Sequence, residues 1–449
     1  MRERHGNAYT VRMRVPICLA LPTVVVALGV TPIARPAQPA SADARVTGLY
    51  RDASGAPLIV WPVAPGRLAV GFGAGELRAL STDGTGGYRI GRALGMLEPV
   101  IGTLRPVAVE GGVVNALEWR DSSGRSVHFR RVELRETVVS FAGAAGVLAG
   151  EVIQARGDSD QPGLVLLHGS EAEDREGARA VAYWLAHRGI ASLIYDKRGT
   201  GGSVRGASDT AFAVLASDAV AALNTLRHAD GVRGDAVGLF GPSQGAWVAL
   251  EATQQSRDVA FVVLQSGDAT TPLEQEMVRG ATRLRAGTTL TGPQIEEATA
   301  FRRLKFLWVA TDQKPAGYDS ALAVARTAPW FANVGAGLPK AAFWHPNGLH
   351  DPMPALRALN RPLLAVFGAR DASKDVERNA RAMRETFDAS GNSRARVIVF
   401  ADANHGLFET TTGLPLEREL PALTRLVPGY LDSLAAFVHR AAAGPRRDR

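Results

Sequence analysis

The chain has 449 residues, 46% hydrophobic and 21% charged, a globular balance long enough for two or three domains. Its formal charge is +7, but residues 1–42 hold five Arg and one Glu, which leaves only +3 on the remainder. That mild surplus, with no Lys/Arg block outside the tail Pro445-Arg-Arg-Asp-Arg449, argues against nucleic acid as a partner.

Residues 1–42 read as a secretory signal peptide. Arg2, Arg4, Arg12 and Arg14 precede an apolar run over 15–30, and a Pro/Ala-rich stretch ends in Ala40-Ser41-Ala42. The run is short for a membrane span and is broken by Pro16 and Pro22. Cleavage after Ala42 removes the sole cysteine, Cys18, so the mature chain has no thiol to oxidise. The expectation is an exported protein, periplasmic or secreted, with no stable membrane association once the leader is gone.

Residues 43–136 are dense in Gly and Val, with short alternating runs at 57–62, 67–72, 107–109, 115–119 and 126–133. Turn signals separate them, among them Asp52-Ala-Ser-Gly55, Glu110-Gly-Gly112 and Asp121-Ser-Ser-Gly124. This spacing predicts a small antiparallel β domain, a sandwich or a barrel, that packs or positions substrate. From 137 to 440 apolar strands alternate with helices. Strands are predicted at 137–141, 148–154, 163–167, 191–195, 236–240, 260–265, 362–367 and 396–400, with helices at 177–188, 210–227, 244–255 and 375–390. The fold class is therefore α/β, a mostly parallel sheet covered on both faces. The rhythm breaks over about 267–361, a stretch too long for a bare loop, which reads as a helical cap. Trp308, Trp330, Phe331, Phe343 and Trp344 fall in it, as cap core rather than as substrate contacts.

The strand at 236–240 runs into Gly241-Pro-Ser243-Gln-Gly245 and then a helix, the G-x-S-x-G nucleophile elbow. A serine on that turn has its hydroxyl thrust outward, and it needs a base and an orienting carboxylate to become a nucleophile. In a sheet of this type those partners follow in the order Ser, acid, His, each just past a strand. Gly368-Ala-Arg-Asp371 follows the strand at 362–367, and His405 follows the one at 396–400. His405 is the predicted general base and Asp371 its orienter. Asp375, one helical turn on, is the alternative acid, and Asp402 reads as a turn or cap residue. The backbone N–H groups of Gln244 and of Ser170, in the turn His168-Gly169-Ser170, are the predicted oxyanion donors. His168 itself reads as structural. The loop Tyr195-Asp-Lys-Arg-Gly-Thr-Gly-Gly-Ser203 lacks the phosphate-loop order, and Asp196 with Arg198 reads as an ion pair at the site rim. No His cluster or H-E-x-x-H calls for a metal, and no cofactor is expected.

His168-Gly-Ser170, Tyr195-Asp-Lys-Arg-Gly199, Gly241-Pro-Ser-Gln-Gly245, Gly368-Ala-Arg-Asp371 and Asn404-His405-Gly406 together resemble the α/β-hydrolase superfamily, within it the dienelactone-hydrolase and prolyl-oligopeptidase-like esterases. The resemblance spans about 137–440. It implies a catalytic triad on Ser243, Asp371 and His405, and a small-molecule ester or acyl substrate. Glu171 and Pro242 depart from the family's usual residues at those positions. Acyl transfer, thioester hydrolysis and peptide cleavage use the same triad and remain alternatives, as does a non-catalytic binding protein on the same fold.

Overall fold

The computed structural model describes residues 42–64, 66–73, 75–157, 160–204 and 210–444. The leader assigned to 1–42 thus lies outside the described residues up to residue 41, and so does the 445–449 tail.

A short helix α1 (Ala42–Val46) leads into eight antiparallel strands that close a barrel in chain order. They are β1 (Gly48–Arg51), β2 (Pro57–Ala64), β3 (Arg67–Phe72), β4 (Glu76–Thr82), β5 (Tyr88–Ala93), β6 (Met96–Glu110), β7 (Val113–Asp121) and β8 (Ser126–Arg131). Pairing of β1 with β8 closes the ring and leaves no free sheet edge. Alternation sends Leu58, Val60, Val70, Leu104 and Leu117 into one apolar interior. Ile59 and Trp61, the alternate residues of β2, are also buried, because that outer face packs on the rest of the molecule.

The second sheet holds β9 (Leu134–Gly143), β10 (Gly146–Ala155), β11 (Gln161–Leu166), β12 (Ala191–Tyr195), β13 (Val232–Pro242), β14 (Val262–Gln265), β15 (Leu363–Gly368) and β16 (Ala395–Phe400). Its order is β16-β15-β14-β13-β11-β12-β10-β9, parallel from β16 to β12 and antiparallel over β10 and β9. Side chains alternate between two cores. Leu164, Leu166, Phe240 and Val263 pack with α2 (Glu176–His187) and α13 (Tyr430–Ala442). Val165, Leu239, Leu264 and Ala365 pack with α3 (Phe212–Arg227), α4 (Gln244–Gln255) and α11 (Val376–Ser390). Barrel and sheet are joined by backbone hydrogen bonds to the segment before α13: Leu77 to Thr424 (2.7 Å), Leu94 to Leu423 (2.9 Å), and Leu426 to Gly75 (2.9 Å).

Between β14 and β15 stand six helices: α5 (Pro272–Gly287), α6 (Gly292–Thr311), α7 (Tyr318–Ala325), α8 (Phe331–Val334), α9 (Ala341–Asn347) and α10 (Met353–Ala358). Thr271 and Thr291 cap α5 and α6, each with a proline in the first turn. Phe301 gathers Tyr318, Trp330 and Phe331, while Trp344 packs edge-on against Phe306, so these aromatics form the insertion's own core. The insertion is tied to the carboxyl ends of the strands. Asn347 accepts the Phe212 N–H at the start of α3 (2.8 Å), and Trp247, in the first turn of α4, donates to Thr270 (3.2 Å).

One expectation is corrected here. Asp196 and Arg198 do not pair with each other. Asp196 takes Arg175 in a two-pronged ion pair, and Arg198 takes Asp218, at 2.7 and 2.8 Å, with both of those side chains 2% exposed. Asp196 meets the segment that leads into α2 and Arg198 meets α3, so the two loop residues serve different elements. Asp218 also accepts the Ala144 N–H (2.9 Å), which fastens α3 to the β9–β10 turn. Asp218→Ala leaves a buried guanidinium unpaired, and urea unfolding should show a loss of about 3–5 kcal/mol.

Candidate active site

Ser243 sits between β13 and α4 at φ 52° and ψ −116°, a strained conformation for a non-glycine residue. The two flanking glycines make the turn possible. A Cβ on Gly241 would drive into the Gly245 carbonyl, and one on Gly245 would stand 2.8 Å from the His168 carbonyl oxygen. Their absence lets the elbow press against the turn that carries Ser170. The Ser243 N–H donates to Gln265 at the end of β14 (2.8 Å), and the Gln265 side chain in turn accepts from Tyr430 (2.5 Å).

His405 lies in the loop after β16, with Nδ1 2.7 Å from Asp371 Oδ2. Ser266, next to Gln265, donates its hydroxyl to the His405 carbonyl (2.8 Å), so one dipeptide at the end of β14 holds both the elbow and the histidine loop. The loop is shaped from below by Asn404, whose side chain accepts the N–H groups of Gly406 and Phe408 and donates to Glu419 (2.7 Å). Among the described residues neither the Ser243 hydroxyl nor His405 Nε2 has a hydrogen-bond partner. Asp375 is exposed and caps α11 through the Arg378 N–H (3.0 Å), away from this contact. Asp402 lies in the turn after β16, as expected, and pairs with Arg370 (2.9 Å).

Burial alone would raise the Asp371 carboxyl, but His405, Lys374 and the Ser373 N–H outweigh it and hold it below the usual carboxylate range. An ionised Asp371 can only accept, so the proton of the 2.7 Å contact sits on Nδ1, and in the neutral imidazole this tautomer makes Nε2 the acceptor. Lys374 is itself buried in an ion pair with Asp268, whose carboxyl burial pushes up despite the lysine beside it. Sequence reasoning passed over both residues, since nothing in their spacing marks a pair brought together across the sheet ends.

The oxyanion turn is fixed by groups that the motif search also missed. Lys197 Nζ donates to the carbonyls of Gly169 (2.7 Å) and Glu171 (3.0 Å), and Glu173 accepts the Gly169 N–H (3.2 Å). In a trans peptide the C=O and the following N–H point opposite ways, so gripping the Gly169 carbonyl turns the Ser170 N–H away from Lys197. The same geometry applies at the elbow. The Ser243 carbonyl accepts the Ala246 N–H inside the helix (3.0 Å), which leaves the Gln244 N–H directed outward at the positive end of α4. Lys197 belongs to the Tyr195-Asp-Lys-Arg motif, the one sequence signal that could have flagged it. Among the described residues no group of three His, Cys, Asp or Glu side chains is placed to hold a metal ion.

Residues 164–413 match the sequence profile of the Alpha/beta hydrolase family, more than half of the chain. The chain belongs to that family. No curated protein matches this hydrolase by sequence. Among solved structures it is similar to an esterase from Pyrococcus furiosus (17% identity over 69% of this chain and 92% of the other, TM-score 0.44). It is also similar to an alpha/beta hydrolase from Penicillium sp. (17%, 69% and 100%, TM-score 0.42) and to a thermophilic esterase from Thermogutta terrifontis (19%, 69% and 99%, TM-score 0.39).

His168 Nε2 donates to the Tyr195 carbonyl (2.6 Å), and burial pushes its imidazole down to about 4. The unfolded chain takes up a proton there near pH 6.5, the folded hydrolase only near 4, so acid favours unfolding across that window. Stability should fall between pH 6.5 and 4, with a His168 share of up to about 3 kcal/mol. In His168→Gln, which keeps a donor for Tyr195, denaturant midpoints should fall less steeply with pH.

Proposed function

We propose that this hydrolase is a serine esterase that cleaves carboxylic esters through an acyl-enzyme. The observation that carries the reading is the 2.7 Å contact of His405 Nδ1 with an ionised Asp371, joined through Gln265 and Ser266 to a serine on a strained elbow. His405 Nε2 takes the Ser243 proton as the oxygen attacks the ester carbonyl. The resulting oxyanion is met by the N–H groups of Ser170 and Gln244. The imidazolium, stabilised by Asp371, gives its proton to the leaving alcohol. Water, deprotonated by the same Nε2, then attacks the acyl-enzyme and releases the acid with Ser243 restored. The free Nε2 and the unpartnered hydroxyl suit this sequence, because such bonds tighten only when substrate is bound.

The dienelactone-hydrolase and prolyl-oligopeptidase-like group is the branch whose motifs the chain carries. Residues 1–42 as leader, 43–136 as barrel domain and 137–440 as catalytic domain complete the proposed organisation, with the mature enzyme working in the periplasm or outside the cell.

A fluorophosphonate should label the mature protein at Ser243, mapped by mass spectrometry. Labelling and p-nitrophenyl acetate hydrolysis should vanish in Ser243→Ala and fall by several orders of magnitude in His405→Ala. Asp371→Asn, which upsets the tautomer, should cost on the order of 10⁴-fold in kcat. Hydrolysis unchanged in Ser243→Ala overturns the proposal.

A further inference from the structure

A cavity of about 340 Å³ lies in the seam between the barrel and the catalytic sheet. The barrel contributes the outer face of β2 and β3, with Ile59, Trp61 and Gly71. Opposite stand Ala178, Val181 and Trp184 of α2, and Phe240 and Leu431 form the floor. His168, Pro242 and Gly406 are also in the lining. Pro242 is bonded to Ser243, Gly406 to His405, and His168 begins the turn that carries Ser170. The cavity therefore reaches the chain neighbours of the candidate catalytic residues, and its walls are mostly apolar, with Glu76, Glu173, Asp174 and Gln265 among them.

We propose that this cavity receives the aliphatic acyl chain of the ester, with the β-barrel as one wall of the acyl site. The inference rests on the serine-esterase reading above and adds a substrate class to it, esters of medium-chain fatty acids. Three observations support it. The walls are mostly aliphatic and aromatic, the lining that shields a hydrocarbon chain from water. At about 30 Å³ for an atom of water's size, the volume holds on the order of ten non-hydrogen atoms, a chain of eight to ten carbons. Two of these three chain neighbours, Pro242 and His168, belong to the serine and oxyanion turns, which keep the acyl half through both steps, whereas the alcohol leaves from the His405 side.

The cavity can be narrowed from either wall. A Cβ on Gly71 meets Glu76, Trp61 and Leu77 at 3.4–3.5 Å, ordinary contact, so a side chain can grow from this strand position. Ala178 offers an independent site on α2. The full mature chain, its Gly71→Leu variant and its Ala178→Phe variant are assayed with p-nitrophenyl esters of two to twelve acyl carbons. The wild type should prefer the octanoate to the acetate at least tenfold in kcat/KM, and each variant should reduce that octanoate-to-acetate ratio at least tenfold. An unchanged ratio in both variants, with Ser243 still labelled by a short fluorophosphonate, overturns the acyl site and leaves the esterase reading standing. Chain-length dependence that appears only with acetate esters of lengthening alcohols also overturns it, by assigning the cavity to the leaving group. Failure of wild-type Ser243 to label at all removes the esterase reading, and the acyl site falls with it.

Discussion

Gly245 has no side chain, and the His168 carbonyl occupies the space where one would stand. That single close approach sets the distance between the Ser243 turn and the Ser170 turn, and much of the candidate site is arranged around it. The strain at Ser243 persists because its neighbours fix the backbone on both sides, through Gln265 on the strand side and Ala246 on the helix side. With the elbow fixed, Ser266 fixes the histidine loop against the same strand end, and Asp371 meets the imidazole from β15.

Charges buried around this centre fall into two kinds. Arg198–Asp218 and Arg175–Asp196 are structural, joining loops and helices, and further backbone bonds reach Asp218, Arg175 and Asp196, while Arg198 Nη1 has no partner among the described residues. Lys197 and Lys374 act closer in. One lysine spends its protons on the carbonyls beside Ser170, and the other adds positive field beside Asp371. In a covered site such a field weighs more than on a wet surface, because less water screens it.

Much of the catalytic half was legible in the sequence, since parallel strands buried on both faces give near-continuous apolar runs and the elbow lies between two of them. The barrel was harder to read. Runs were expected where β2, β3, β7 and β8 stand, but β1, β4 and β5 went unread, and register shifts at Gly91 break the alternation where β5 pairs with β6. The final helix α13 went unread although Leu431, Leu434, Ala435 and Val438 recur at helical spacing. The partners of Asp196 and Arg198 were beyond the sequence for a different reason. Two residues of one loop suggested a pair, but Arg175 and Asp218, twenty or so residues away, decide which carboxylate meets which guanidinium.

The clasp between the barrel and the stretch around Thr424 joins regions separated by more than three hundred residues. A ribosome delivers the barrel more than three hundred residues before Thr424, so the barrel can close early but cannot dock until that segment is made. Through that interval Ile59 and Trp61 on the outer face of β2 have no final partner, and the stretch before α13 completes the burial of a surface the barrel cannot cover alone.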